Sequence, residues 1–327
     1  MSPTESELEP SKASGPDASH GESTGAILAA FLANMGIAAA KLVGFLITGS
    51  SSLMAEAIHS LADSSNQGLL FLGGKRAERP ATKLHPFGYG RTRYFWSFVV
   101  AIVLFSVGGL FALYEGYHKI GHPEEISSPI VAFVILGLAV VFEGFALRTA
   151  VRHATPHRHR GQSWLGYVRS SRSPELPVLL VEDSAALAGL LFALFGVTLA
   201  ELTDNPVFDG IGTLAIGVLL VCVGIFLAIE MKSLLLGEAA SDEEEAQIRL
   251  AAGGTPQIER VVELMTQHLG PDQLLVALKV EFGPGISVIE AGRVIDGAEA
   301  RIRHAVPIAT HIYIEPAGER VLGPPGN

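Results

Sequence analysis

Ser51-Ser-Leu-Met-Ala-Glu-Ala-Ile-His-Ser-Leu-Ala-Asp63 sets an imidazole and a carboxylate inside one of the longest apolar stretches of the chain. On a helix His59 and Asp63 stand four residues apart, so both side chains share one face, one turn from each other. An ionisable group held at membrane depth costs about 2.5–3.5 kcal/mol on insertion scales, and more in simulation. A pair of this kind needs a compensating partner, and a divalent cation suits imidazole plus carboxylate. A buried hydrogen-bonded pair that only packs helices is the plainer alternative.

The stretch is intramembrane by the reading of what surrounds it. The chain is 49% hydrophobic and 17% charged, and its mean hydropathy of +0.39 is high for a soluble domain. Apolar runs long enough to cross the hydrocarbon recur at about 25–47, 52–74, 94–117, 128–150, 176–200 and 207–231. The second is the weakest, because it carries Glu56, His59 and Asp63. Basic residues set the topology. Lys75, Arg76, Arg79, Lys83, Arg91 and Arg93 follow span two, and Arg148, Arg152, Arg158, Arg160, Arg169 and Arg172 follow span four. The three opposite loops hold only Lys119. Both termini are therefore expected in the cytoplasm, with a bacterial plasma membrane as the expected location.

Residues 1–24 are rich in Ser, Pro, Glu and Gly and read as a disordered tail, with neither a signal peptide nor a transit peptide in them. The net charge of −10 resides mostly in this tail and in the C-terminal third, and gives no support to nucleic-acid binding. Cys222, the single cysteine, reads as a small core residue of span six.

Four parts are expected: the tail 1–24, a six-span domain 25–236, a cytoplasmic α+β domain 237–318 and a disordered end 319–327. In the third part Ser241 and Glu244 form a capping-box pattern. Strands at 258–265 and 274–282, a helix over 287–304 and a strand at 310–314 follow. The order αββαβ predicts a small ferredoxin-like two-layer module. Such modules pair, so a homodimer is expected.

The span-two motif, the loop His85-Pro-Phe-Gly-Tyr-Gly-Arg91, and Asp183 six residues before Gly189 together resemble the cation diffusion facilitator family. Val181-Glu-Asp-Ser-Ala-Ala-Leu-Ala-Gly189 and Asp204-Asn-Pro-Val-Phe-Asp-Gly210 are similar to the branch with the mitochondrial-type zinc exporter. The likeness covers about 25–316. It implies metal efflux coupled to inward proton movement by a homodimer, with two ligands from span two and two from span five. His59, Asp63 and Asp183 match that set. The fourth position is Leu179, and Glu182 is the available substitute, as a ligand or as a proton carrier. Zinc, as transported substrate and not as a resident cofactor, suits a His–carboxylate set, with manganese, iron and cobalt as alternatives. A membrane metal sensor or scaffold that does not transport is a further alternative. Enzyme activity is not expected, since no HExxH-type motif or nucleophile accompanies the ligands.

Around the site, Asn34, Asn66, Glu143 and Asp209 are candidates for a second shell or a proton path. For Asp209 a helix-terminus role is equally open, and Asn34 and Asn66 could instead make polar helix contacts. Lys41 is expected to snorkel to the interface rather than pair with an acid. Glu56 is expected towards the extracytoplasmic mouth. The resemblance also implies auxiliary metal sites, and these look eroded. Thr82 and Tyr89 flank His85 where ligands would stand, and Ala277 and Tyr313 leave only Glu315 in the C-terminal domain. His153, His157 and His159 read as part of a solvated basic loop more than as a metal antenna.

Overall fold

A computed structural model describes residues 35–317. Asn34 and the two expected tails lie outside the described residues. Seven helices run from α1 to α7: α1 (Met35–Thr48), α2 (Ser51–Ala77), α3 (Thr92–Gly121), α4 (Pro129–Ala154), the short α5 (Trp164–Ser170), α6 (Glu175–Thr203) and α7 (Val207–Leu236). Among the described residues, the four helices beginning at Thr92, Pro129, Glu175 and Val207 are long and apolar enough to cross a membrane. At 27 residues α2 has the length but not the hydropathy, as its polar motif predicts. Each long helix extends a few residues past its apolar run, because hydrogen bonding continues into the polar flanks.

Within the bundle, whose core is otherwise apolar, α2 turns polar groups inward and apolar ones outward. Glu56, His59, Ser60, Ser64 and Asn66 of α2 are buried, while Leu61, Phe71 and Leu72 of the same helix are exposed. Such a helix suits a lipid solvent, where the apolar face needs no cover. Cys222 faces outward, correcting its assignment to the core; a lone thiol has no reason to avoid lipid. Small residues let the backbones approach. A Cβ at Gly116 of α3 would stand 2.6 Å from Leu214 N of α7. Between Leu104 and Leu110, α3 relaxes into a π-helical turn where it packs on α7 and α2.

The C-terminal domain is built from α8 (Asp242–Gly253), β1 (Ile258–Gly270), β2 (Gln273–Phe282), α9 (Val288–Ala305) and β3 (Ala309–Pro316). The sheet order is β1-β2-β3, with β1–β2 antiparallel and β2–β3 parallel. This is the expected αββαβ order. The first strand runs five residues past its expected end, because His268 and Gly270 continue the ladder to a two-residue turn at Pro271-Asp272. In β2 Leu274, Val276, Leu278 and Val280 are buried, in strict alternation. Capping boxes start both helices, at Ser241/Glu244 and Ser287/Glu290.

The domain is bolted to one end of the bundle. Arg93 at the start of α3 pairs with Asp272 at 3.1 Å and Glu175 at 3.6 Å, and Arg172 pairs with Glu238. Gly90 and Gly270 pass so closely that a Cβ at Gly270 would lie 2.9 Å from the Cα of Gly90.

Candidate metal centre

Helix α2 carries the first two candidate ligands because Ser50 caps it and its small residues pack tightly against α3, α6 and α7. His59 Nε2 lies 3.6 Å from Asp63 Oδ2, as the four-residue spacing dictates. Both ring nitrogens of His59 and Oδ1 of Asp63 are buried with no hydrogen-bond partner among the described residues. Unpartnered buried polar atoms cost about 1–3 kcal/mol each, so these positions are expensive without a further ligand or proton.

Opposite them, α4 and α6 wall a cavity of about 340 Å³ lined by Ser60, Asp63, Glu143, Leu179, Glu182 and Asp183. Four carboxylates face it, and no lysine or arginine lines it. The cavity continues past Thr149, Ala150 and Leu176 to His153, at the end of the bundle that carries the C-terminal domain. Asn66 Nδ2 donates to Glu182 Oε1 at 2.8 Å, drawing this acid towards α2. Asn66 lies three residues after Asp63, on the same helix face. Glu182 and Asp183, adjacent on α6, thus both reach the cavity even though helix neighbours diverge by about 100°. Leu179 lines the same wall, so the position where a fourth ligand would stand faces the cavity with an apolar side chain.

The arrangement brings Asp63, Glu182, Asp183 and Glu143 to one chamber and leaves His59 behind Asp63, outside the chamber's lining. Among the described residues no three His, Cys, Asp or Glu side chains are drawn into the geometry of a single ion site. The cluster is open.

Three residues sit differently from their expected places. Lys41 does not snorkel. It is fully buried, and its Nζ donates to Ser60 Oγ at 2.7 Å and to Glu56 Oε2 at 3.0 Å, with Glu143 Oε1 at 4.0 Å. A nearby buried acid offers the ammonium more than the distant interface does. Glu56 is accordingly an interior ion-pair partner, and Gly189 of α6 makes room for it: a Cβ there would stand 2.5 Å from Glu56 Oε1. Asp209, at the start of α7, is far from the cavity and binds the N-terminus of α2. It accepts from Ser50 Oγ at 2.9 Å, Ser51 N at 2.8 Å, Ser51 Oγ at 3.2 Å and Ser52 N at 3.4 Å. A helix start offers free N–H groups and a positive dipole end, which explains the choice. Asp209 thus terminates a helix, but α2 and not its own. Thr213 bridges to Ser51 and Ser52, and Lys119 Nζ donates to Gly49 O at 3.2 Å, so the start of α2 is tied to α7 and α3 at this end of the bundle.

The residues at the two auxiliary positions have other contacts. His85 packs on Tyr89 in a tilted arrangement, with ring centroids 4.6 Å apart. Tyr313 and Ala277 share a shallow hollow with Glu315, which pairs with Lys279 at 3.3 Å.

A helical membrane domain with acids gathered at a buried chamber, joined to a small α+β module, is the build of a cation transporter. The chain belongs to the cation efflux family: residues 27–236 match its family description "Cation efflux transmembrane domain", and residues 240–317 match "Cation efflux protein, cytoplasmic domain". It is 33% identical over 243 residues to the mitochondrial proton-coupled zinc antiporter SLC30A9 of Homo sapiens, covering 74% of this chain and 43% of that protein. Metal tolerance protein C4 of Arabidopsis thaliana is 26% identical over 79% of this chain and 56% of its own length. Magnetosome protein MamB of Paramagnetospirillum magneticum is 24% identical over 88% and 92%. The chain thus spans less than half the length of the antiporter it matches.

Proposed function

We propose that this protein exports a divalent metal ion, zinc above others, from the compartment of its C-terminal domain in exchange for protons. The observation that carries the reading is the buried pair His59 and Asp63, with unpartnered donor atoms, of which Asp63 lines a chamber shared with three further carboxylates. Asp63, Asp183 and Glu182 are the proposed ligands with His59, and drawing them together is the step that the open cluster still requires. Asn66 positions Glu182, and Glu143 lines the chamber from α4. An imidazole with carboxylates suits zinc, and ligands that must lose protons to bind metal couple its release to protonation. The SLC30A9 relatives, proton-coupled zinc antiporters, support the same exchange.

Access is from the end bearing the C-terminal domain, since the cavity runs that way and α2 is tied to α7 at the opposite end. The arginine-rich loops at the same end support a cytoplasmic position for it, in what we propose is a bacterial plasma membrane. A homodimer is proposed through the sheet face away from α8 and α9, where Met265 and Tyr313 are exposed. The test is zinc uptake into proteoliposomes under a pH gradient. Asp63→Ala and Asp183→Ala should each abolish it, and undiminished flux in both would remove the site. Saturable zinc binding with no flux in the unaltered protein would instead favour a non-transporting sensor, the reading that Leu179 motivates.

A further inference from the structure

Lys41 is a fixed positive charge set one layer behind the cavity wall. Its Nζ contacts Ser60 at 2.7 Å and lies 4.0 Å from Glu143, and both of these side chains line the chamber. Ser60 is one turn from Asp63 on α2. The third contact, Glu56 at 3.0 Å, faces away from the chamber. An ammonium needed only to pin α1 to α2 would be satisfied by Glu56 and Ser60. This one is also within reach of an acid of the chamber itself. In a weakly polarisable interior its field extends across the chamber, where it opposes an arriving dication.

We infer that Lys41 is a tethered counter-cation that holds down the chamber's affinity for its divalent ion, so that an ion bound by several carboxylates can still leave. The inference rests on the proposed reading of the chamber as the transport site. Lys41 touches no substrate; it is a positioning residue that acts through charge.

The experiment is zinc titration of the purified full chain in nanodiscs, by competition with a fluorescent chelator, alongside flux at saturating zinc. Lys41→Met should tighten zinc binding by about tenfold or more and slow flux. Lys41→Arg, which keeps the charge, should behave as the unaltered protein. In Lys41→Met/Glu56→Gln the two lost charges cancel, and affinity should return towards the starting value. A purely structural lysine predicts the reverse order, since a damaged helix contact weakens binding and never tightens it. An unchanged or weakened affinity in folded Lys41→Met overturns the inference. Should that variant not fold, Glu56→Gln decides: it leaves Lys41 uncompensated and must weaken zinc binding, and unaltered binding there overturns the inference equally. Failure of the unaltered chain to bind zinc removes the chamber reading and this inference together, whereas normal binding with insensitive variants removes this inference alone.

Discussion

Helix α2 and the C-terminal domain follow opposite rules. In the domain, polar capping boxes lie outside, strand side chains alternate, and the buried set is apolar except for Thr255 and His268. In α2 the buried set is mostly polar or small, and the large apolar residues face out. The domain is held by removing apolar surface from water, which specifies its packing without any ligand. Helix α2 gains nothing of that kind in lipid, so its interior is free to hold polar groups that are costly alone. Buried apolar surface marks one region, and buried polar groups mark the other.

The comparison breaks first at His59. Replacing an unpartnered imidazole by an apolar side chain, His59→Leu, should stabilise the metal-free protein by about 1–3 kcal/mol. The same change should weaken zinc binding by at least about 10- to 100-fold, read by thermal unfolding and chelator competition on one sample. If both quantities fell together, the imidazole would be a packing residue. Next in size is Asp209→Ala. It strips the start of α2 of its carboxylate and should cost about 1–2 kcal/mol, measured as a lowered midpoint of thermal unfolding in detergent. Asp209→Asn, which keeps one acceptor oxygen, should lose less. The smallest effect is expected in the domain, where Ser287→Ala should cost about 1 kcal/mol by denaturant unfolding and leave zinc binding untouched. A change in zinc affinity there would mean that the two regions are less separate than their chemistry suggests.

The features legible in the sequence were those written locally. Capping at Ser241, the αββαβ order and four of the apolar spans depend on nearest neighbours along the chain. The i, i+4 relation of His59 and Asp63 is local too. The misplaced residues are those whose partners are remote in sequence. Lys41 meets Glu56 and Glu143, and Asp209 reaches back across nearly 160 positions to Ser50–Ser52. Snorkelling and helix capping are sound single-helix arguments, but a buried partner on another helix outweighs them, and periodicity does not reveal it. The contact from Asn66 to Glu182 belongs to the same class. Cys222 was misplaced for a different reason. Apolar character marks an interior position in water, yet in lipid it fits either face.

The clamp at Asp209 turns α2 into a lever. Its first residues are pinned to α7, while Asp63 stands twelve positions further on, about 18 Å from the pin along the axis. A tilt of about 5° about that fulcrum displaces the far carboxylate by about 1.5 Å, with no sliding at the pinned end. A small swing of one rod thus moves Asp63 against the chamber's other acids while its base stays in place, and the leverage grows with distance from the hinge.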